Sequence, residues 1–271
     1  MAVNGLLEAC TEPLEVLDWT ITDQGEGLNG ARSSKVVQVE VWKKPERGKH
    51  YYIAIDPSSG VDDNMHDPYE LEIAELGSGE LCARAGGYLS GRSVGILGAG
   101  LARQYNEALI DPEVNDRWGV NVVEGVYAAK YANFSREKRE LRPGEWSNEI
   151  GFHNTQQTRP LIIGSIQAWV DSWTAGAPYA KCLSRFVIET LMDCILDENG
   201  KIVGAPGVHD EALIVRGQTL RKAVSRSAAI VPKLLKPAKT DDQRIAAIIR
   251  GEGQRNGHGH GVLLKPKARP R

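Results

Sequence analysis

The sequence predicts an α/β domain with a central mixed β-sheet flanked by helices. Three observations predict it. Apolar or alternating runs KVVQVEVW (Lys35 to Trp42), YYIAID (Tyr51 to Asp56) and YELEIAEL (Tyr69 to Leu76) follow one another with turn or polar segments between them, as consecutive strands do. Segments with apolar residues three and four apart then alternate with a further short apolar run. Finally, 41% hydrophobic and 25% charged residues are the proportions of an ordinary globular chain. No run of 18 apolar residues suggests a transmembrane helix, and the first 25 residues lack the basic start and apolar core of a signal peptide.

In chain order, residues 1–35 show weak periodicity and the Gly/Asn-rich stretch GEGLNGARSS. They read as irregular, the stub of a preceding domain, and with an edge strand they make up a segment of residues 1–45. KVVQVEVW alternates as a half-buried strand does, and PERGKH is a turn. YYIAID, YELEIAEL and, after GSGE, LCARAG form an antiparallel meander. A helix runs over Val94 to Ala108, a strand over Ala108 to Asn115 (ALIDPEVN), and a helix over Trp118 to Tyr131 with Val120, Val123 and Val126 on one face. Residues 132–150 are polar and read as a loop. Helices follow at Thr158 to Trp173 and Ser184 to Ile195. LDENGKIVGAP places Asn199-Gly200 between apolar residues, a hairpin signal. His209 to Val224 is a helix, and residues 229–271 are a basic, flexible tail.

Four scattered cysteines, Cys10, Cys82, Cys182 and Cys194, show no CxxC spacing and read as reduced thiols rather than a disulfide or zinc framework. The charge is uneven. Residues 212–271 hold 14 Lys/Arg against 3 Asp/Glu, a local net of +11 that leaves −13 on the other 211 residues. A basic tail on an acidic body suits a polyanionic partner, and equally a solvated tail. GILGAGLAR has the look of a phosphate loop, but it ends in Arg103 within a helical pattern, which makes it a packing segment. His258 and His260 in GHGHG have no other ligand nearby in sequence.

Three carboxylates stand out by position. Asp56 ends a buried strand, Glu113 ends the later one, and Asp210 opens the last helix. In an α/β layer, strand ends and helix starts converge at one sheet edge, where sites form. Three acids gathered there repel one another unless a cation intervenes. Hard oxygen ligands suit Mg²⁺ or Mn²⁺, and two such ions clamp the attacking and leaving oxygens of a phosphodiester. Each acid alone is more readily a turn residue or a helix-start residue facing the dipole; their order along the chain carries the functional reading.

Those motifs together resemble the nuclease domain of the large terminase subunit of tailed bacteriophages, an RNase H-like fold. KKPERGKHYYIAIDPSSG is similar to the family's first strand and first catalytic Asp, here Asp56. YNEALIDPEVNDRWG is similar to the second motif, which selects Glu113 over Glu124 inside the following helix. EIGFHNTQQTRPLI resembles the family's Gly-Phe-x-Thr segment, and DENGKIVGAPGVHDEAL its hairpin followed by His-Asp-Asp, with Asp210 as third acid and Glu211 in place of the second Asp. The resemblance covers about residues 40–225 and implies an RNase H-like nuclease domain over 46–228. It implies a two-metal-ion endonuclease, with Mg²⁺ or Mn²⁺ held by Asp56, Glu113 and Asp210. The substrate would be concatemeric double-stranded viral DNA, cut during genome packaging in the host bacterial cytoplasm. The implied partners are the small terminase subunit, the portal protein and the procapsid. Another RNase H-like nuclease of resolvase type, and a docking module for portal or DNA without catalysis, stay open beside it. No GxxxxGK[ST] occurs in the chain, which reads as the nuclease part of a large terminase without its ATPase motor.

His209, Glu211 and Asp67 are auxiliary candidates; His209 is equally a helix-start residue. Lys130, Arg136, Lys138, Arg139 and Arg142 follow the second motif and are candidates for DNA backbone contacts, although Glu137, Glu140 and Glu145 among them suit a solvated loop as well. If the tail holds DNA, removing residues 229–271 will weaken binding and lower the slope of log affinity against log salt by about 0.9 per lost phosphate contact. Gel shifts at several salt concentrations measure that slope, and an unchanged value returns the tail to a solvated role.

Overall fold

The structure is a computed structural model that describes residues 2–23, 33–60, 67–142, 145–196, 202–204 and 209–224. Helix α1 (Ala2–Glu8) leads to strands β1 (Glu15–Asp23), β2 (Ser33–Val41), β3 (Tyr51–Asp56), β4 (Tyr69–Glu75) and β5 (Leu81–Gly87). Next come α2 (Gly91–Gln104), β6 (Leu109–Pro112), α3 (Arg117–Ala128), β7 (Arg136–Arg142) and β8 (Glu145–Ile150). The described chain ends with α4 (Arg159–Thr174), α5 (Arg185–Asp193), β9 (Cys194–Leu196), β10 (Ile202–Gly204) and α6 (Glu211–Thr219), which continues into a π-helical turn, Leu220–Val224. No helix among the described residues is long and apolar enough to cross a membrane.

Six strands form one mixed sheet in the order β1-β2-β5-β4-β3-β6. The meander β3-β4-β5 is antiparallel as expected, β2 adds antiparallel to β5, and β6 pairs parallel to β3. The parallel pair sets the position of the site. Ile55 lies opposite Pro112 and the Glu113 amide donates to the Ile55 carbonyl at 2.8 Å, so the last residue of β3, Asp56, and the residue after β6, Glu113, emerge side by side.

Three segments differ from the sequence reading, the first being residues 2–8, read as irregular but forming α1. Residues 15–23 are not irregular: β1 pairs with β2 along nine residues, and Leu17, Trp19 and Ile21 pack on the core. Residues 136–150 are not a loop but an antiparallel hairpin, β7 with β8. Its inward Glu137 accepts from Arg221 at 3.2 Å and pairs with Lys222, contacts too distant in sequence to be read locally. The hairpin expected around Asn199-Gly200 appears as β9 paired with β10, although those two residues lie outside the described ones. So do His258, His260 and the whole basic tail.

Alternation in the strands sorts the two faces of the sheet. Tyr51, Ile53 and Ile55 of β3 join Leu71 and Ile73 of β4 in a core with Val94, Leu97 and Leu101 of α2 and Val122 and Val126 of α3. Tyr52, Ala54 and Leu109 face the other way, onto Val215 of α6. Beyond α6, a further core is built from Leu6, Ile162, Trp169, Ile188 and Leu213. The sheet is therefore covered on both faces, and β3 is apolar throughout until Asp56.

Helices α2 and α3 touch backbone to backbone. A Cβ on Gly95 would sit 2.1 Å from the Val122 carbonyl oxygen, and one on Gly125 2.0 Å from that of Arg92. This is what Gly95 of GILGAGLAR does, admitting the neighbouring helix, while Gly98 and Gly100 give room to Ile55 and Trp19 of the sheet. Gly125→Ala should therefore overpack this crossing and cost about 1–3 kcal/mol. Gly164→Ala in α4, where nothing lies within 4 Å, should be neutral or raise stability by up to about 1 kcal/mol. Urea unfolding of the two variants compares them, and equal midpoints would contradict the packing argument.

Candidate metal centre

Asp56 stands where β3 leaves the core. Burial pushes its carboxyl well above the usual range, and the charges of Glu113, Glu211, Asp210 and Asp67 push it further. Among the described residues it has no hydrogen-bond or ion-pair partner. Glu113 is brought beside it by the parallel pairing. Its carboxyl is raised to about 7, chiefly by burial, with Asn154 and Arg159 pulling down and Asp116 and Asp210 pushing up. Asp116 itself caps α3, accepting from Trp118 N at 2.8 Å and Gly119 N at 3.2 Å. Gly119 makes this turn possible, because a Cβ there would lie 2.0 Å from the Glu113 carbonyl oxygen.

Asp210 precedes the first turn of α6 but makes no side-chain cap hydrogen bond to the helix. α6 packs across β3 and β4, and so carries Asp210 and Glu211 to the edge that Asp56 and Glu113 occupy. Glu211 is buried and its Oε2 has no hydrogen-bond partner; burial first, then Asp67 and Asp210, raise its carboxyl to about 8. His209 Nδ1 lies 3.0 Å from Asp67 Oδ1 and 3.9 Å from Glu211 Oε2. Asp67, His209 and Glu211 each offer a ligand atom within 4.8 Å of the others. The structure thus brings the three auxiliary candidates, Asp67, His209 and Glu211, within ligand distance of one another, and places Asp56 within reach of the charges of Glu113, Asp210, Glu211 and Asp67.

The same sheet face carries other buried acids, and they show what compensation looks like here. Glu70, opposite Asp56 in register, faces Arg84 with contacts of 2.5 and 2.9 Å. Glu72 meets Arg216 at 2.7 Å. Asp111 accepts from Tyr52 and lies 3.7 Å from Lys222. Each of these has a protein cation, whereas Asp56 and Glu211 have no Lys or Arg paired to them among the described residues. Carboxylates left together without a cation, one of them with an orphaned buried oxygen, are a donor set that fits a hard divalent ion.

Three residues absent from the sequence-derived set complete the surroundings of Glu113. Asn115 Nδ2 donates to Glu113 Oε1 at 2.8 Å and to the Asn154 carbonyl at 2.7 Å, while Asn115 Oδ1 accepts from Asn154 N at 2.9 Å. Asn154 Nδ2 lies 3.4 Å from Glu113 Oε2, and Arg159 Nε donates to Asn154 Oδ1 at 3.2 Å. The bridge between Glu113 and Phe152 places this loop. Its signal was the EIGFHNT segment, which sequence reasoning matched as a motif without assigning its asparagine. Glu124 is exposed on α3, away from these contacts. Of the basic candidates, Arg136 and Lys138 are exposed on one face of β7 while Glu137, one of the three acids among them, faces inward to Arg221 and Lys222. Lys130 is exposed after α3; Arg139 and Arg142 lie on β7, their side chains outside the described ones.

No protein-family model and no curated relative matches the chain. Among solved structures it is similar to the large terminase nuclease from thermophilic phage G20c with bound magnesium. The two are 13% identical with a TM-score of 0.50, over 83% of this chain and 96% of that one. The cobalt-bound form of that nuclease (14% identity, TM-score 0.49, 83% and 96% covered) and the large terminase nuclease domain of Thermus phage P74-26 (12%, 0.48, 80% and 93%) are also similar. The magnesium-bound structure fixes the fold as RNase H-like, the mixed sheet flanked by helices that the sequence predicts.

The raised carboxyls give stability a pH dependence in the absence of divalent ions. A carboxyl whose pKa is higher folded than unfolded (about 4.3 for Glu) binds extra protons in the folded state. Its contribution is present below that value and is lost as pH climbs through the folded values near 7 and 8. Glu211→Gln should therefore stabilise the EDTA-treated protein at pH 8 by at least about 1 kcal/mol, the size of one pK unit, and change little at pH 5. Urea unfolding at both pH values tests this; equal differences at the two would rule out the electrostatic origin.

Proposed function

We propose that this chain is a metal-dependent endonuclease of the terminase large-subunit type, cutting concatemeric double-stranded viral DNA during genome packaging, with Asp56, Glu113 and Asp210 holding Mg²⁺ or Mn²⁺. The observation that carries the reading is the convergence of acids from two strand ends and a helix start, where Asp56 and Glu211 lack the paired Lys or Arg that Glu70, Glu72 and Asp111 have among the described residues. The likeness of fold to a nuclease crystallised with magnesium supports it. By the same resemblance the partners are the small terminase subunit, the portal protein and the procapsid.

Asp56, Glu113 and Asp210 would hold the divalent ions, whose positive charge would acidify a water and stabilise the leaving oxygen of a phosphodiester. The protein's own groups do the rest. Asn115 fixes the orientation of the Glu113 carboxylate through Oε1. Glu211 adds a buried acceptor with no competing partner. His209 sits beside these acids with its Nδ1 3.0 Å from Asp67 Oδ1. No side-chain nucleophile is needed. Phosphates carry no direct base information, so cleavage by these groups is expected on duplexes of essentially any sequence.

Asp56→Asn and Asp210→Asn should each abolish plasmid nicking with Mn²⁺ or Mg²⁺, by at least about a hundredfold, with an unchanged circular dichroism spectrum, and EDTA should silence the unsubstituted protein. Gel assays of supercoiled plasmid measure all three. Retained nicking in both variants would remove these residues from the reaction.

A further inference from the structure

We propose that Arg159 binds a DNA phosphate beside the acid cluster and is held in place for that contact by Asn154 and Asn115. The inference rests on the reading of the acids as a nuclease centre and adds the residue that meets the substrate's charge.

Arg159 is the first residue of α4 and is only partly buried. Its single side-chain hydrogen bond among the described residues is Nε to Asn154 Oδ1, 3.2 Å. The two terminal nitrogens therefore have no protein partner there. A guanidinium has five N–H donors in a planar fork, and anchoring Nε leaves the four on the terminal nitrogens. The side chain lies near enough to Glu113 for its charge to favour that carboxylate, yet forms no ion pair with it. In this respect it is unlike Arg84 and Arg216, which close directly onto Glu70 and Glu72. It is a cation stationed next to the site with its donors unspent.

The anchor is itself rigid. Asn115 binds both the N–H and the carbonyl of Asn154, and its remaining amide proton goes to Glu113 Oε1. Three residues in series thus tie the position of the guanidinium to that of Glu113. A cluster of acids repels a polyanion, and a fork of N–H donors fixed beside it matches the oxygens of a phosphate two at a time. The ligand class is a phosphodiester next to, or at, the bond to be cut.

The test separates DNA contact from support of the acids. In an Asp56→Asn background, which is silent in cleavage, Arg159→Gln should weaken binding of a short duplex roughly tenfold and lower the slope of log affinity against log salt by about 0.9, read by fluorescence anisotropy. With Asp56 intact, Arg159→Gln should slow Mn²⁺-dependent nicking roughly a hundredfold. Its Mn²⁺ affinity, measured calorimetrically without DNA, should stay that of the unsubstituted protein. Arg159→Lys, a point charge without the fork, should restore the salt slope and only part of the rate. An unchanged slope and rate in Arg159→Gln overturns the assignment and leaves the acid centre standing. Lost Mn²⁺ affinity overturns it too, by showing that Arg159 serves the acids. An unsubstituted protein that neither binds Mn²⁺ nor nicks plasmid overturns the centre, and this proposal with it.

Discussion

Charge compensation on the α6 face of the sheet is the constraint on which the rest of the molecule depends. A β-strand covered on both faces is ordinarily apolar, yet β4 reads YELEIAE and every residue of it is buried. A buried carboxylate is tolerated only with a partner. Arg84 on β5 and Arg216 on α6 are those partners for Glu70 and Glu72, and Lys222 reaches both Asp111 and Glu137. These pairs tie the meander, α6 and the β7–β8 hairpin to one another. Arg216 also donates to the Gly79 carbonyl at 3.0 Å and stacks over Trp169 with 5.0 Å to the ring centre, so one guanidinium links the sheet to the outer helical layer.

Against that background the edge at Asp56 is an exception maintained by the backbone. Parallel pairing of β3 and β6 forces two acids side by side, the tight approach of Gly119 to Glu113 sets the turn after it, and the Phe152 bridge brings up the asparagines. The repulsion they impose is the local conflict expected where a fold trades stability for function.

Much of this was legible in the sequence. Strong apolar runs such as YYIAID, and helices with clear three-four periodicity, were readable because local pattern and burial agree there. The positions of Asp56, Glu113 and Asp210 were readable because each sits at the junction of two recognisable elements. β1 was also legible in principle: Leu17, Trp19 and Ile21 alternate, and the Gly/Asn-rich stretch after them drew the segment toward an irregular reading. What stayed hidden depends on contacts far apart in sequence. Glu137 looks like a loop charge until Arg221 and Lys222 arrive 84 and 85 positions later. Likewise nothing near Glu72 announces Arg216, 144 residues away. Asn115 and Asn154 are ordinary polar residues until the 39 positions between them are folded up.

α6 joins the two halves of this arrangement in a single rod. Its start carries Asp210 and Glu211, and its far part carries Arg216 and, in the π-helical turn, Lys222. At 1.5 Å per residue, Glu211 and Arg216 are separated by about 7.5 Å along the axis, and the latter is pinned by Glu72. The axial position of the acids is thereby dictated from a distance, as the tip of a key is by its shoulder. Residue count between the two becomes an inherited quantity in its own right. An insertion or deletion within those five steps would rotate the acids by about 100° about the helix axis without altering a single side chain of the site, so this stretch should tolerate substitution far better than any change in length.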